Sequence, residues 1–207
     1  MMHPHTELRF INDQIGYGVV ATKLIPKGTI TWALDDLDRS FTPQQFNQMK
    51  PLYKDILEKY CYRDNQGRYV LCWDISRFVN HSFKSSCIST AYEFELAIRD
   101  IQPGEEITND YGYLNITEPF DVVPEPHTDR TTVYPDDLLR YHDVWDAQLL
   151  EAFKNFEKVD QPLQSIIKQE YFSKALLVAR NEEKMDSILN CYFDEAKIKA
   201  QAGNGSY

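Results

Sequence analysis

Turn chemistry is what most constrains this chain. Gly16-Tyr17-Gly18, Pro26-Lys27-Gly28 and Gln102-Pro103-Gly104 break the first half of the sequence into short apolar runs. Glycine supplies the backbone angles of tight turns and proline presets one of them, so such runs read as short strands joined by turns. From Glu7 to about Leu34 this implies a β-rich opening, and RYVLCW, STAYEFELAIRDI and EEITNDYGY between Gly67 and Tyr113 imply a second β block. Between the two, residues 43–60 change period. Phe46, Met49, Tyr53, Ile56, Leu57 and Tyr60 fall on one helical stripe, and Pro51 marks a break, so one or two helices fit there.

Residues 117–135 contain Pro119, Pro124, Pro126 and Pro135, a density that rules out regular structure and reads as a linker or covering loop. Beyond it, segments of about 136–158, 162–179 and 182–200 carry apolar residues at three- and four-residue spacing, for example Leu138, His142, Trp145, Leu149, Phe153 and Phe156. A C-terminal helical region over 136–200 is expected, ending in a frayed AGNGSY tail. With 207 residues the chain is long enough for one domain with a real core plus this helical appendage.

Charge and cysteine usage narrow the function classes. With 22 Lys+Arg against 32 Asp+Glu, the formal charge of −10 repels phosphate backbones and anionic membrane surfaces and favours basic partners; the same acidity also serves simply as a solubility device. No direct nucleic-acid or membrane partner is expected. Cys61, Cys72, Cys87 and Cys191 form no C-x-x-C pair, which argues against a structural zinc site, so no metal is expected and the four read as reduced thiols. The opening MMHPHTELRF lacks the pattern of a signal peptide, and no apolar run approaches the ~18 residues of a membrane span. An intracellular protein is expected, cytoplasmic in a bacterium and cytoplasmic or nuclear in a eukaryote.

Three short segments carry candidate chemistry. Gly16-Tyr17-Gly18 reads either as a hairpin turn or as a place where backbone groups approach a ligand closely, as a cofactor with a carboxylate and an amine would require. Arg77-Phe78-Val79-Asn80-His81-Ser82 sets three polar side chains after an apolar pair, which neither a strand nor a helix pattern explains; it reads as a site loop or as a polar plug at a tight chain crossing. Glu106-Ile107-Thr108-Asn109-Asp110-Tyr111-Gly112-Tyr113 ends a strand with two tyrosines around a glycine. A thiol nucleophile at Cys87 with His81 as its base is a weaker alternative, because nothing in the sequence singles out a residue to orient the histidine.

In this order, an early G-x-G, a central R-F-x-N-H-S and a later I-R-D-I-x-x-G-E-E-I-T-x-D-Y-G-Y resemble the SET-domain protein lysine methyltransferases over residues 7–116. The resemblance implies a mostly β fold with some α: short curved sheets, a pseudoknot in which the last strand threads beneath the N-H-S loop, and a variable helical insert at about 43–60 that helps shape the peptide groove. It implies transfer of a methyl group from S-adenosylmethionine to a lysine side chain of a basic protein or peptide. Gly16, Tyr17 and Gly18 would line the methionine end of that cofactor, backbone groups of Asn80 and His81 would hold its adenine, and Asn80 would also bond its amino group. Tyr111 would be the catalytic tyrosine and also contact the cofactor, Tyr113 would line the lysine channel, and Phe120 would cover the adenine.

Family members that stop at one methyl often carry a tyrosine where this chain has Ser89, which implies transfer of more than one methyl group unless Tyr92 fills that position. Two departures stand out. Serines occupy positions 85 and 86, where the family often has Pro-Asn, and the cysteine-rich zinc cluster after the catalytic strand is missing. The proline-rich segment or the C-terminal helices must then close the channel. The alternative function is a SET-fold peptide-binding module without transfer activity.

Overall fold

A computed structural model describes residues 1–126 and 128–194. The order of elements is β1 (Thr6–Asn12), β2 (Gly16–Ala21), β3 (Ile30–Ala33), β4 (Arg39–Phe41), α1 (Pro43–Asn47), α2 (Pro51–Tyr60), β5 (Cys61–Arg63), β6 (Tyr69–Leu71), β7 (Asn80–His81), β8 (Cys87–Ser89), β9 (Phe94–Ala97), β10 (Glu106–Asn109), β11 (Phe120–Asp121), β12 (Thr132–Val133), α3 (Asp137–Phe153) and α4 (Gln169–Ala179). The strands form four small sheets, ordered β1-β2-β10-β7, β3-β9-β8, β4-β6-β5 and β11-β12. Several short sheets followed by C-terminal helices agree with the fold that the resemblance implies.

Local chemistry accounts for the boundaries. Gly16 at φ 84° makes the turn between β1 and β2. Thr42 and Gln45 form a capping box at the start of α1, and Pro43 and Pro51 open α1 and α2, where a missing N–H costs nothing. Pro51 therefore starts a helix rather than merely interrupting one. The run STAYEFELAIRDI is not a single strand: Thr90 folds back on Phe94 and Glu93 takes φ 62°, so β8 and β9 form a hairpin.

The crossing that positions the site involves β7 and β10. β10 pairs antiparallel with β2 through Glu106–Val20 and Ile107–Val19, then parallel with β7 through Thr108–Asn80 and Asn109–His81. The chain after β7 wraps the same strand, because Ser82 N–H donates to Asn109 O at 2.9 Å and Ser86 N–H to Thr108 O at 3.1 Å. Backbone groups that would be orphaned in the interior are satisfied by this wrapping.

Two hydrophobic clusters result. One joins Ile88, Phe94 and Leu96 to α3 and α4 through Trp145, Leu149, Phe153, Phe156 and Phe172, so the helical region shares a core with the strands. The other gathers Val19, Ala21, Ile25, Trp32, Cys87, Ala97, Ile101 and Ile107 behind β2 and β10.

Two expectations need correction. The proline-rich stretch does hold regular structure, since Phe120–Val133 and Asp121–Thr132 pair as an antiparallel ladder whose prolines fall outside the paired positions. The third helical segment is, within 182–194, only a single 3-10 turn at Ile188–Cys191. Asn115 accepts from Phe193 N–H and donates to Cys191 O, which holds the backbone extended there. Residues 195–200 of that segment and the AGNGSY tail lie outside the described residues.

Candidate active site

A cavity of about 610 Å³ opens beside the β7/β10 crossing. Val79, Tyr111 and Phe120 line one part of it, residues 57–63 of the insert and 114–118 another, and Trp32, Ser89, Glu95 and Asn109 also face it. Apart from Phe120, the proline-rich segment contributes Thr117 and Glu118; α3 and α4 contribute nothing to the wall. The C-terminal helices thus do not close the channel, because their apolar faces are spent on the core beneath β8 and β9.

Tyr111 is anchored at both ends. Its N–H donates to His81 Nδ1 at 3.1 Å and its hydroxyl donates to Val79 O at 2.7 Å. With the proton so placed, the phenol oxygen keeps acceptor capacity for a group in the cavity. Burial pushes the phenol up to about 12, so it is neutral at physiological pH. Burial likewise lowers His81 to about 4, leaving a neutral imidazole whose ring packs edge-on against Phe83, Tyr111 and Phe120.

The glycine turn reaches this site through Asn80, which donates from Nδ2 to Tyr17 O at 3.1 Å and to Glu106 Oε1 at 2.7 Å. A side chain at Gly18 would run into the Glu106 carboxylate and stand 2.9 Å from Asn80 Nδ2, so glycine leaves room for the bond between those two side chains. Tyr17 is exposed, edge-on to Phe10. Gly16, Tyr17, Gly18, Asn80 and His81 do not line the cavity.

Phe120 is held over the crossing by latches. Glu125 accepts from Ser82 Oγ at 3.0 Å and from Phe83 and Lys84 N–H at 3.3 Å. Arg130 pairs with Asp110 and, at 2.7 Å, with Asp137, and its guanidinium lies over the Phe83 and Tyr141 rings. Both acids are buried, so the cation between them offsets a desolvation cost that either would otherwise bear alone.

Other residues fall differently from expectation. Tyr113 is 2% exposed and lies off the cavity, with its hydroxyl donating to Cys87 O at 3.0 Å and accepting from Asp110 N–H at 3.2 Å, and its ring edge-on to Trp145. The reason is local: Asp110 caps a 3-10 turn over Tyr111–Tyr113 that rotates Tyr113 into the core. Ser89 lines the cavity, whereas the Tyr92 hydroxyl accepts from Asp186 N–H on the far side of the hairpin. Cys87 is fully buried and burial pushes its thiol up to about 12, so it cannot serve as a nucleophile.

Sequence reasoning missed Glu95, Asn109, Trp32 and Tyr62. Glu95 Oε1 accepts from Ser89 Oγ at 3.1 Å and from Asn109 Nδ2 at 2.8 Å. Trp32 Nε1 and Asn109 Oδ1 are buried without a hydrogen-bond partner among the described residues. In the run F-E-L-A an alternating strand pattern assigns the glutamate to solvent; the only signal against that is a charge amid apolar neighbours. Among the described residues no cluster of His, Cys, Asp and Glu could hold a metal ion, and no helix is long and apolar enough to cross a membrane.

A threaded crossing carrying Asn-His-Ser beside Asp-Tyr-Gly-Tyr, over an amphipathic cavity, defines a class of protein. The family described as "SET domain" matches residues 16–112. The chain is also 29% identical over 117 residues to "Histone-lysine N-methyltransferase Set2" of Drosophila melanogaster, an alignment that covers 51% of this chain and 5% of the relative's length. Residues 16–112 are thus similar to the SET domain family, and the chain spans only 5% of the length of the curated relative it matches.

Proposed function

We propose that this chain is a protein-lysine N-methyltransferase that uses S-adenosylmethionine as donor and accepts lysine-rich, basic segments. The observation that carries the reading is Tyr111, whose hydroxyl is fixed by Val79 O at 2.7 Å beside the crossing and lines the cavity. Gly16, Tyr17, Gly18, Asn80, His81, Tyr111 and Phe120 are the residues we assign to the cofactor. The buried His81 Nε2 without a partner among the described residues and the exposed Phe120 beside His81 and Tyr111 fit such a ligand. S-adenosylmethionine, when bound, supplies an electrophilic sulfonium methyl.

The chain's own task is to present a neutral amine in line. A free lysine has a pKa of about 10.4, so holding it neutral at pH 7 costs ~4.6 kcal/mol. Leu57, Tyr62 and Trp32 make part of the wall apolar and disfavour the ammonium there. Tyr111 offers a phenol oxygen that accepts without carrying charge, which orients the amine lone pair. With Ser89 on the wall and Tyr92 turned away, no tyrosine from that hairpin narrows the cavity, which supports transfer of more than one methyl.

The test is incubation of the full chain with methyl-labelled cofactor and a pool of basic peptides, read by mass spectrometry. Label on lysine, including dimethyl product at long times, is expected. Cofactor binding with no labelled lysine in any peptide would leave only the non-catalytic binding module.

A further inference from the structure

We propose that Glu95 is the anchor and proton acceptor of the cavity: its carboxylate receives the ammonium of an entering primary amine and takes one proton from it. The inference rests on the cavity being an amine channel, as the proposed function requires, and it names the residue that makes it one. Glu95 is 6% exposed, yet it belongs to the cavity wall. Its two hydrogen bonds, from Ser89 and Asn109, both land on Oε1, so among the described residues no hydrogen bond occupies Oε2. Beside it stand the buried Asn109 Oδ1 and Trp32 Nε1, an acceptor and a donor without partners among the described residues. Buried polar atoms with capacity left over, all on one cavity, are what a polar ligand would satisfy.

The charge balance points to a cation. Tyr62, Tyr111, Tyr113 and Cys87 face Glu95 from β5, the 3-10 turn and β8, and burial holds all four neutral. Among the described residues the amino group of Met1 is the one positive charge that acts on the carboxyl, and it is paired with Asp35. The cations on the cavity wall are engaged elsewhere: Arg77 with Cys72 O and Trp73 O, Lys59 over Tyr60, Arg63 over Tyr69 and Phe193. Among the described residues no ion pair includes Glu95. Burial raises its carboxyl to about 7, so near neutrality it exchanges a proton readily. The step balances without a co-reactant. An N–H bond of the ammonium breaks and its electron pair stays on nitrogen, while the proton forms an O–H bond on Oε2; Glu95 then returns that proton to water.

The experiment uses the full chain and n-butylamine, a lysine side-chain mimic that is cationic throughout pH 5.5–8.5, by titration calorimetry. Affinity should rise up to about tenfold from pH 6 to pH 8, as the ionised share of a carboxyl near 7 does, and Glu95→Gln, which keeps the shape and can still accept from Ser89 and Asn109, should weaken it about tenfold at pH 8 and remove the pH dependence. Equal binding by parent and variant, or no binding by the parent, would overturn the assignment. If Glu95→Gln fails to fold, Ser89→Ala serves instead: losing one donor to the carboxylate should move the midpoint of the pH dependence upward, and an unmoved midpoint counts against the proposal. Because butylamine binding needs no methyl transfer, a Glu95-dependent site on a protein that labels no lysine would sink the proposed activity while leaving the anchor standing.

Discussion

The two sides of the β8/β9 hairpin differ in kind although the same strands make both. Ile88, Phe94 and Leu96 point into the cluster with Trp145, Phe153, Phe156 and Phe172, where aromatic rings meet edge-on, tilted or stacked. Cys87 and Ala97 point the other way into the smaller cluster, while Ser89 and Glu95 face the cavity. Alternation along a strand therefore assigns one set of side chains to stability and the neighbouring set to a site. The first side is dry and closely packed. On the second, a carboxylate, an amide and an indole N–H are taken out of water with bonds left unmade, a cost the packed side must offset.

Substitutions can break or sharpen this contrast. The largest expected effect is Phe153→Ala, which should cost ~3–5 kcal/mol because it empties a ring from the packed side. Urea unfolding would show it as a lower midpoint, with butylamine affinity unchanged at temperatures where the variant is folded. A loss of affinity at constant fold would mean that the two sides are not separable.

Tyr111→Phe should do the converse. Methyl transfer should fall ~10²–10³-fold, or ~3–4 kcal/mol, since an oriented polar group is removed from the reacting centre. The lost bond to Val79 O should change stability by only ~1 kcal/mol. Single-turnover transfer and the melting temperature, measured on one preparation, separate the effects; a parental rate would remove Tyr111 from the site.

Glu95 tests the cost of the polar side through pH. Its folded-state carboxyl is raised to about 7 against an ordinary 4.5, so the native state binds the proton more tightly than the unfolded chain does. The sign follows: this contribution is fully present below about pH 4.5 and is lost as pH rises through 7. Glu95→Gln should remove that loss, making the variant more stable than the parent above pH 7 by up to ~3 kcal/mol. Parallel stability curves for parent and variant from pH 5 to 8 would contradict the raised carboxyl.

The smallest effect belongs to the insert, which lies between the two sides in function. Thr42→Ala removes the capping box of α1 and should cost ~1 kcal/mol. Because the insert contributes residues 57–63 to the wall through α2 and β5 rather than α1, Michaelis constants for peptides should change less than twofold. A large change would assign α1 to peptide recognition.

Much of this was legible in sequence because it is local. Gly16 at its turn and the α3 stripe of Leu138, Trp145, Leu149 and Phe153 follow from turn preferences and side-chain period, while the polar run 80–82 stood out because no such pattern explains it. What period and propensity do not encode is which face of a strand meets which neighbour. Glu95 occupies a strand position that alternation assigns to solvent, yet folding turns it into a cavity because a second sheet and the insert cover that face. Tyr113, two residues from Tyr111, is swung into the core by the Asp110 cap. The proline-rich loop closes over the crossing only because Glu125 and Arg130 find Ser82 and Asp110, respectively 43 and 20 residues away. By itself the sequence determined most of the elements and the likeness to the SET domain, since both depend on neighbours in the chain. The tertiary structure alone decided the content of the cavity, because burial of a charge and the partners that satisfy it are properties of contacts between segments distant in sequence.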